Sequence, residues 1–331
     1  MKIAIVKLSA LGDIVHAMAA LQFIKAARPD IQIDWLVEQS LAEILADNPD
    51  IDTVLTINLK ALKSNKLGVF QELRKVKTYA ASDYDLVVDA QGLIKSAIVA
   101  RLLSGNCVGF DKYSCREWPA AGLYRTKFSY PYDANTIDRN VAILTRPLGL
   151  EVGSGEIIRK QPFLFHRPPR PAVADYWQAG QPAVVLVTGS TWPSRNYPKE
   201  KYLQIVQSLA VNCLLIWGND QEYRVAEWIA QRSSAQVLPR LSLNDLKAVI
   251  AKADLVIGND TGPTHMAWGL NRPSITLFGP TPVSRVYQTS INKVLKSSSQ
   301  VNPFKLDKND FSIGEISVKH IVDLAMDLLK R

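Results

Sequence analysis

The sequence predicts an α/β fold built from two Rossmann-like, doubly wound parallel sheets, one in each half of the chain. Three observations carry this expectation. Strand-sized apolar runs alternate with helix-length segments. The alternation stops in a proline-rich stretch near the middle and then restarts. At 331 residues, 47% hydrophobic, the chain also exceeds one ordinary core and suits two domains.

Lys2 to Leu8 reads as a short buried strand and Asp13 as the opening of a helix that runs to Ala27, so Ser9 to Gly12 is the turn between them. IDWLV and TVLTI are the next strands, followed by a basic helical region, the strand YDLVVDA, a helix from Leu93 to Leu103 and the strand CVGF. Strands separated by helical crossovers pair in parallel. From Glu151 to Pro182 the rhythm breaks at GSG and HRPPRP, whose prolines favour an extended connector. Residues 1–165 are therefore expected to form the N-terminal domain and 166–182 a linker. The pattern restarts with AVVLVTG, a helix from Lys199, CLLIWG, a helix from Gln221, a weak strand at QVLP and a helix from Leu243. DLVIGND, a short helix after Pro263 and SITLFGP complete a second domain over 183–313. Residues 314–331 make a closing helix, with Ile316, Val318, Ile321, Val322, Ala325, Leu328 and Leu329 as its apolar side, expected to pack back toward the N-terminal domain.

Composition narrows the function. The three cysteines form neither a CxxC pair nor a metal set with the four histidines, which suggests a reducing compartment and no obligate metal. The N-terminal IAIV is too short for a signal peptide's apolar core or a membrane span, so a soluble, cytoplasmic protein is expected. A formal charge of +8 points to an anionic partner. Between Leu59 and Lys77 stand Lys60, Lys63, Lys66, Arg74, Lys75 and Lys77 against one acid, Glu72. That run is either a solvated face or a contact for an acidic substrate or an anionic membrane. It holds one aromatic, Phe70, so nucleic acid ranks last.

Two domains of this kind place their ligand loops at the carboxyl ends of the strands, here SALGD, VTGST and GNDTGPTH, around a central cleft. Asp13 in SALGD can cap a helix or face a substrate. GNDTGPTH, residues 258 to 265, can hold a phosphate at the start of a helix, or it is an ordinary capped turn. In the same domain, Ser190, Thr191 and Arg195 add hydroxyls and a guanidinium. Glu222, just past a strand end, suits ribose hydroxyls but also reads as a first-turn helix acid. No GxGxxG, GxxxxGK[ST] or GxSxG occurs, which lowers dehydrogenase, ATPase and hydrolase readings. Asp83 and Asp85 imitate a metal-binding carboxylate pair, yet they precede a buried strand and are expected to cap or face solvent.

The sequence resembles the lipopolysaccharide heptosyltransferases, inverting enzymes of the GT-B architecture, and within them the heptosyltransferase I branch. The match runs essentially end to end: KxSALGDIVHAMAAL, DWLVE, YDLVVDAQGLIKSA, REWPAAGLY and DTGPTHMAWGLNRPSITLFGPT. The resemblance implies ADP-heptose as donor and Kdo-lipid A as acceptor, with heptose added to a Kdo hydroxyl at the cytoplasmic face of the inner membrane. It makes Asp13 the general base and puts Ser190, Thr191 and Arg195 at the donor diphosphate, Glu222 at the ribose and Leu241 against the adenine. Asp260, Thr261, Gly262 and His265 close around the ADP-sugar. Gly12, Lys60, Lys63, Lys66 and Arg116 are the expected acceptor residues. Arg195 stands where the family often has Lys, and Ser190 where Thr is common; charge is kept while clamp geometry can differ. Two rivals remain: a relative that adds sugar to heptose rather than Kdo, and a sugar-nucleotide-binding module without turnover.

Overall fold

The computed structural model describes residues 1–59, 68–178 and 180–330. The chain divides into two compact units, Met1–Phe165 and His166–Arg331. The first holds strands β1 (Lys2–Val6), β2 (Gln32–Glu38), β3 (Thr53–Ile57), β4 (Leu86–Asp89), β5 (Cys107–Phe110) and β6 (Thr126–Phe128). Its helices are α1 (Leu11–Ala27), α2 (Gly68–Ala80), α3 (Ile94–Leu103), α4 (Thr136–Thr145) and α5 (Ser154–Ile158). All pairings are parallel, in the order β3-β2-β1-β4-β5-β6.

The second unit repeats the plan with β7 (Ala183–Val187), β8 (Asn212–Ile216), β9 (Gln236–Val237), β10 (Leu255–Asn259), β11 (Ser274–Phe278) and β12 (Asn292–Lys296) in the parallel order β12-β11-β10-β7-β8-β9. Its helices are α6 (Pro171–Ala174), α7 (Lys199–Leu209), α8 (Asp220–Ala230), α9 (Leu243–Lys252), α10 (Gly262–Gly269) and α11 (Val318–Leu329). The central strands are buried end to end, as LVVD, AVVLV, NCLLI, LVIGN and SITLF require when helices cover both sheet faces. Strand order reverses between β1 and β4 in one sheet and between β7 and β10 in the other. Each reversal opens a crevice at the carboxyl ends of its strands, which is where such sheets take ligands.

Three expectations change. The stretch 166–182, expected as an extended connector, is held against the second unit: the Arg167 N–H donates to Asn244 Oδ1 at 2.9 Å, and the Arg170 guanidinium pairs with Asp245 at 2.5 Å. Asn212 Nδ2 donates to the Tyr176 carbonyl at 2.9 Å. The closing helix α11 packs on α7 of its own unit, where Ile321, Ala325 and Leu328 join the core beneath β7 and β10. Its apolar face is thus satisfied inside the second unit. Helix α1 begins at Leu11, ahead of Asp13, with Ala10 as its N-cap.

Candidate functional site

At the first crevice, the loop after β1 is fastened to the loop after β4. Gln91 Oε1 accepts the Leu8 and Ser9 N–H groups at 3.0 and 3.1 Å, and the buried Lys7 donates through Nζ to the Ala90 carbonyl at 2.7 Å. Beneath them Asp89, fully buried, accepts from Gln91 N, Gly92 N, Ser96 Oγ and Tyr124 OH. Burial pushes its pKa upward against the pull of those four donors. Gly92, at φ +69, lets the chain turn close to Arg116, and the Glu117 N–H donates back to the Gly92 carbonyl at 3.2 Å. The β1–α1 loop that leads into Asp13 and the loops bearing Gln91 and Arg116 are therefore one hydrogen-bonded assembly at the carboxyl ends of the strands. Asp13 is half-buried at the third position of α1, and its Oδ2 accepts the Ala10 N–H at 3.3 Å. That is the return half of a capping box, a role that still leaves acceptor capacity on the carboxylate. Gly12 is buried beside it, and Arg116 is exposed.

At the second crevice, Asp260 follows β10 and is almost wholly buried, at 2% exposure. Its Oδ2 meets Arg195 Nη1 at 3.3 Å and Arg285 Nε at 3.6 Å, while its Oδ1 lies 3.0 Å from His265 Nε2. Burial alone would raise the Asp260 pKa; Arg285, the His265 hydrogen bond and Arg195 reverse that and hold it far below the usual carboxylate range. Arg195 also donates through Nη2 to Thr191 Oγ1 at 2.9 Å and lies over the Trp192 ring. One carboxylate thus gathers two guanidiniums and an imidazole beside the first turn of α10, whose N-cap Thr261 makes no side-chain cap bond. Unbonded first-turn N–H groups with adjacent cations form an anion-binding corner. Asn259 fixes the neighbouring loop, donating to the Thr188 carbonyl at 3.0 Å and accepting the Tyr197 N–H at 3.1 Å.

The profile of glycosyltransferase family 9 (heptosyltransferase) matches residues 72–310. The chain belongs to glycosyltransferase family 9. The lipopolysaccharide heptosyltransferase 1 of Campylobacter coli is 35% identical over 343 aligned residues, covering 99% of each chain. That of Pseudomonas aeruginosa is 33% identical over 85% of this chain and 79% of its own. The Escherichia coli heptosyltransferase WaaC with ADP shares the fold at a TM-score of 0.82 and 24% identity, over 99% of this chain and 100% of that one. The family membership makes this protein a glycosyltransferase and accounts for the paired sheets of the GT-B fold.

Of the residues that family resemblance singles out, the structure joins Thr191, Arg195, Asp260 and His265 directly, with Thr261 and Gly262 adjoining at the α10 start. Ser190 is turned on its own loop, its hydroxyl donating to the Trp192 carbonyl at 3.0 Å. Glu222 is engaged at the start of α8, where its carboxylate accepts from Gly218 N at 2.7 Å and Asn219 Nδ2 at 2.8 Å. It also packs against Gly189: a Cβ there would lie 2.3 Å from the Glu222 carboxyl carbon, so a larger residue at 189 would displace the Glu222 side chain. Leu241 is half-buried in the loop before α9. Lys60, Lys63 and Lys66 lie outside the described residues. Asp83 and Asp85 are exposed, and Asp85 accepts the Lys2 N–H at 2.7 Å. Among the described residues no group of three His, Cys, Asp or Glu side chains could hold a metal ion, and no helix is long and apolar enough to cross a membrane. Sequence reasoning missed Arg285, which no motif marks, and Gln91, whose place in the quoted DAQGL run was its only signal.

Proposed function

We propose that the protein transfers L-glycero-D-manno-heptose from ADP-heptose to a Kdo residue of Kdo-lipid A, with inversion at the anomeric carbon. The observation that carries this is the buried Asp260 holding Arg195, Arg285 and His265 at the start of α10, a corner suited to a diphosphate. The names of the Campylobacter and Pseudomonas relatives support the sugar and the pathway step. In the proposed reaction a Kdo hydroxyl oxygen bonds to the anomeric carbon as the bond to the ADP oxygen breaks. Asp13 takes the hydroxyl proton, and ADP leaves with the electron pair. The diphosphate's growing charge is met by Arg195, Arg285 and the α10 N–H groups, which lets the transfer proceed without a required metal. Base catalysis supplies about 10²- to 10⁴-fold and leaving-group stabilisation supplies more.

Glu222 is proposed to meet the ribose and Leu241 the adenine, Ser190 and Thr191 to line the diphosphate, and Gly12, Arg116 and the lysines at 60, 63 and 66 to serve the acidic acceptor. The enzyme would work in the cytoplasm, at the inner membrane where its acceptor is anchored. Incubating the protein with ADP-heptose and either Kdo-lipid A or heptosyl-Kdo-lipid A, with products read by mass spectrometry, tests the reading. Gain of one heptose on Kdo-lipid A is expected. Transfer only to the heptosylated acceptor, or none to either, would overturn it.

A further inference from the structure

Strand β1 lies between β2 and β4, and its pairing ends differently on the two sides. Toward β2, main-chain bonds continue past Val6: the Lys7 N–H donates to the Leu36 carbonyl at 3.2 Å, and the Glu38 N–H donates to the Leu8 carbonyl at 3.1 Å. Toward β4, the Ala90 N–H donates to the Val6 carbonyl at 3.1 Å, and from there side chains take over. Lys7 reaches the Ala90 carbonyl through Nζ, and Gln91 Oε1 accepts both the Leu8 and the Ser9 N–H. In an extended strand successive residues face opposite sides. Two neighbouring N–H groups that meet one oxygen therefore mark the place where β1 stops and the chain bends toward α1.

Gln91 is itself held in place. Asp89, fully buried, accepts the Gln91 and Gly92 N–H groups on Oδ1 and the Ser96 and Tyr124 hydroxyls on Oδ2. The side chain that grips Leu8 and Ser9 thus stands on a buried carboxylate with four donors. Beyond the grip, Ala10 follows as the N-cap of α1, and its N–H is the one that Asp13 Oδ2 accepts. A strand end needs its N–H groups paired, and any acceptor, water included, meets that need. An acceptor carried by the turn after β4 does more, because it also fixes the distance from that turn to the entry of α1.

We propose that Gln91 is a positioning residue for the transfer: through Leu8 and Ser9 it sets where α1 begins, and so where the Asp13 carboxylate meets the acceptor hydroxyl. The inference rests on the proposed general-base role of Asp13. A base must stand within hydrogen-bond reach of the proton it takes, and a misplacement of about 1 Å can cost on the order of 10²-fold in rate. Gln91→Met keeps the side chain's length and removes the acceptor oxygen; Gln91→Glu keeps an acceptor oxygen and removes the amide donors. The test compares both with wild type on whichever of Kdo-lipid A and heptosyl-Kdo-lipid A the wild type uses, with calorimetric titration of ADP and amide hydrogen exchange of the segment from Leu8 to Asp13. In Gln91→Met, kcat should fall roughly 10- to 100-fold while ADP affinity and the KM for ADP-heptose stay at wild type. Exchange at Leu8 and Ser9 should quicken by about tenfold or more. Gln91→Glu should restore slow exchange and bring kcat to within about threefold of wild type. Should Gln91→Met fail to fold, Gln91→Asn, whose amide falls one carbon short, takes its place. Wild-type exchange or near-wild-type kcat in the folded variant that lacks the grip would overturn the proposal. So would a Gln91→Glu enzyme as slow as Gln91→Met with wild-type exchange, since the amide would then serve the substrate directly. Asp13→Asn, run alongside, keeps the two ideas apart: turnover like wild type there would remove the base and this inference with it, whereas an impaired Asp13→Asn beside an unimpaired Gln91→Met would overturn the positioning role alone.

Discussion

Asp260→Asn measures how far one carboxylate holds the second unit's anion-binding corner together. The carboxylate meets Arg195 at 3.3 Å, His265 at 3.0 Å and Arg285 at 3.6 Å, at 2% exposure. Asparagine keeps the shape and one acceptor oxygen but leaves two guanidiniums against a neutral amide. Breaking a buried ion pair by removing one partner costs about 3–5 kcal/mol. The Arg195 and Arg285 side chains retain 11% and 27% exposure and can recover hydration, so the lower end applies. About 3 kcal/mol in a unit of this size lowers the melting temperature by roughly 6–12 °C. Scanning calorimetry, which separates units that melt independently, is the assay. A carboxylate whose pKa is depressed on folding adds stability that is complete above the unfolded value of about 3.9 and is lost as pH falls toward the folded value. Because Asp260 is held far below the usual range, the gap between wild type and variant should be constant from about pH 5 to 8 and narrow below about pH 4. A shift under about 2 °C at neutral pH, or a gap unchanged down to about pH 3, would refute the reasoning.

Arg195→Ala should weaken ADP binding roughly 10- to 100-fold in calorimetric titration, the loss of a charged hydrogen bond, and unchanged affinity would remove Arg195 from the donor site. Lys160 is buried, and burial pushes its ammonium pKa down to about 7. The unfolded chain then holds a proton that the folded chain has lost between about pH 7 and 10, so stability should rise with pH across that window. Lys160→Met should raise the melting temperature at pH 7 and lose that advantage near pH 10; an equal gain at both pH values would contradict the assignment. Added chelator should leave most transfer activity intact, whereas complete loss restored by a divalent ion would show that a metal is required.

The central strands were legible because strands buried on both faces must be continuous apolar runs, as AVVLV and LVIGN are. Two of the four edge strands were not: β6 is three residues, TKF, and β12, NKVLK, has only two adjacent aliphatics among polar residues. Helix α4 carries a readable start, Asn135 accepting the Ile137 N–H and Asp138 in the first turn, yet it fell in a stretch dominated by turn residues. The start of α1 was misplaced because its N-cap, Ala10, has no side-chain acceptor, so Asp13 stood out as the first polar residue. In the site, Thr191, Arg195 and Asp260 were legible because each sits in a short loop at a strand end, and His265 because it follows in the same GNDTGPTH run at the start of α10. Arg285 was not, since a loop beyond β11 reaches Asp260 only through the fold.

The proposed chemistry rests most directly on Asp13, and turnover of Asp13→Asn beside wild type in the Kdo-lipid A transfer assay tests it. The Asp13 carboxylate accepts the Ala10 N–H at 3.3 Å, and an asparagine oxygen can do the same, so a helix cap alone predicts unchanged fold and activity. Asparagine cannot take the acceptor's proton at neutral pH. A general base therefore predicts a melting temperature and ADP affinity close to wild type with kcat lower by about 10²-fold or more. Turnover within a few-fold of wild type would contradict that role and leave Asp13 as the capping residue of α1.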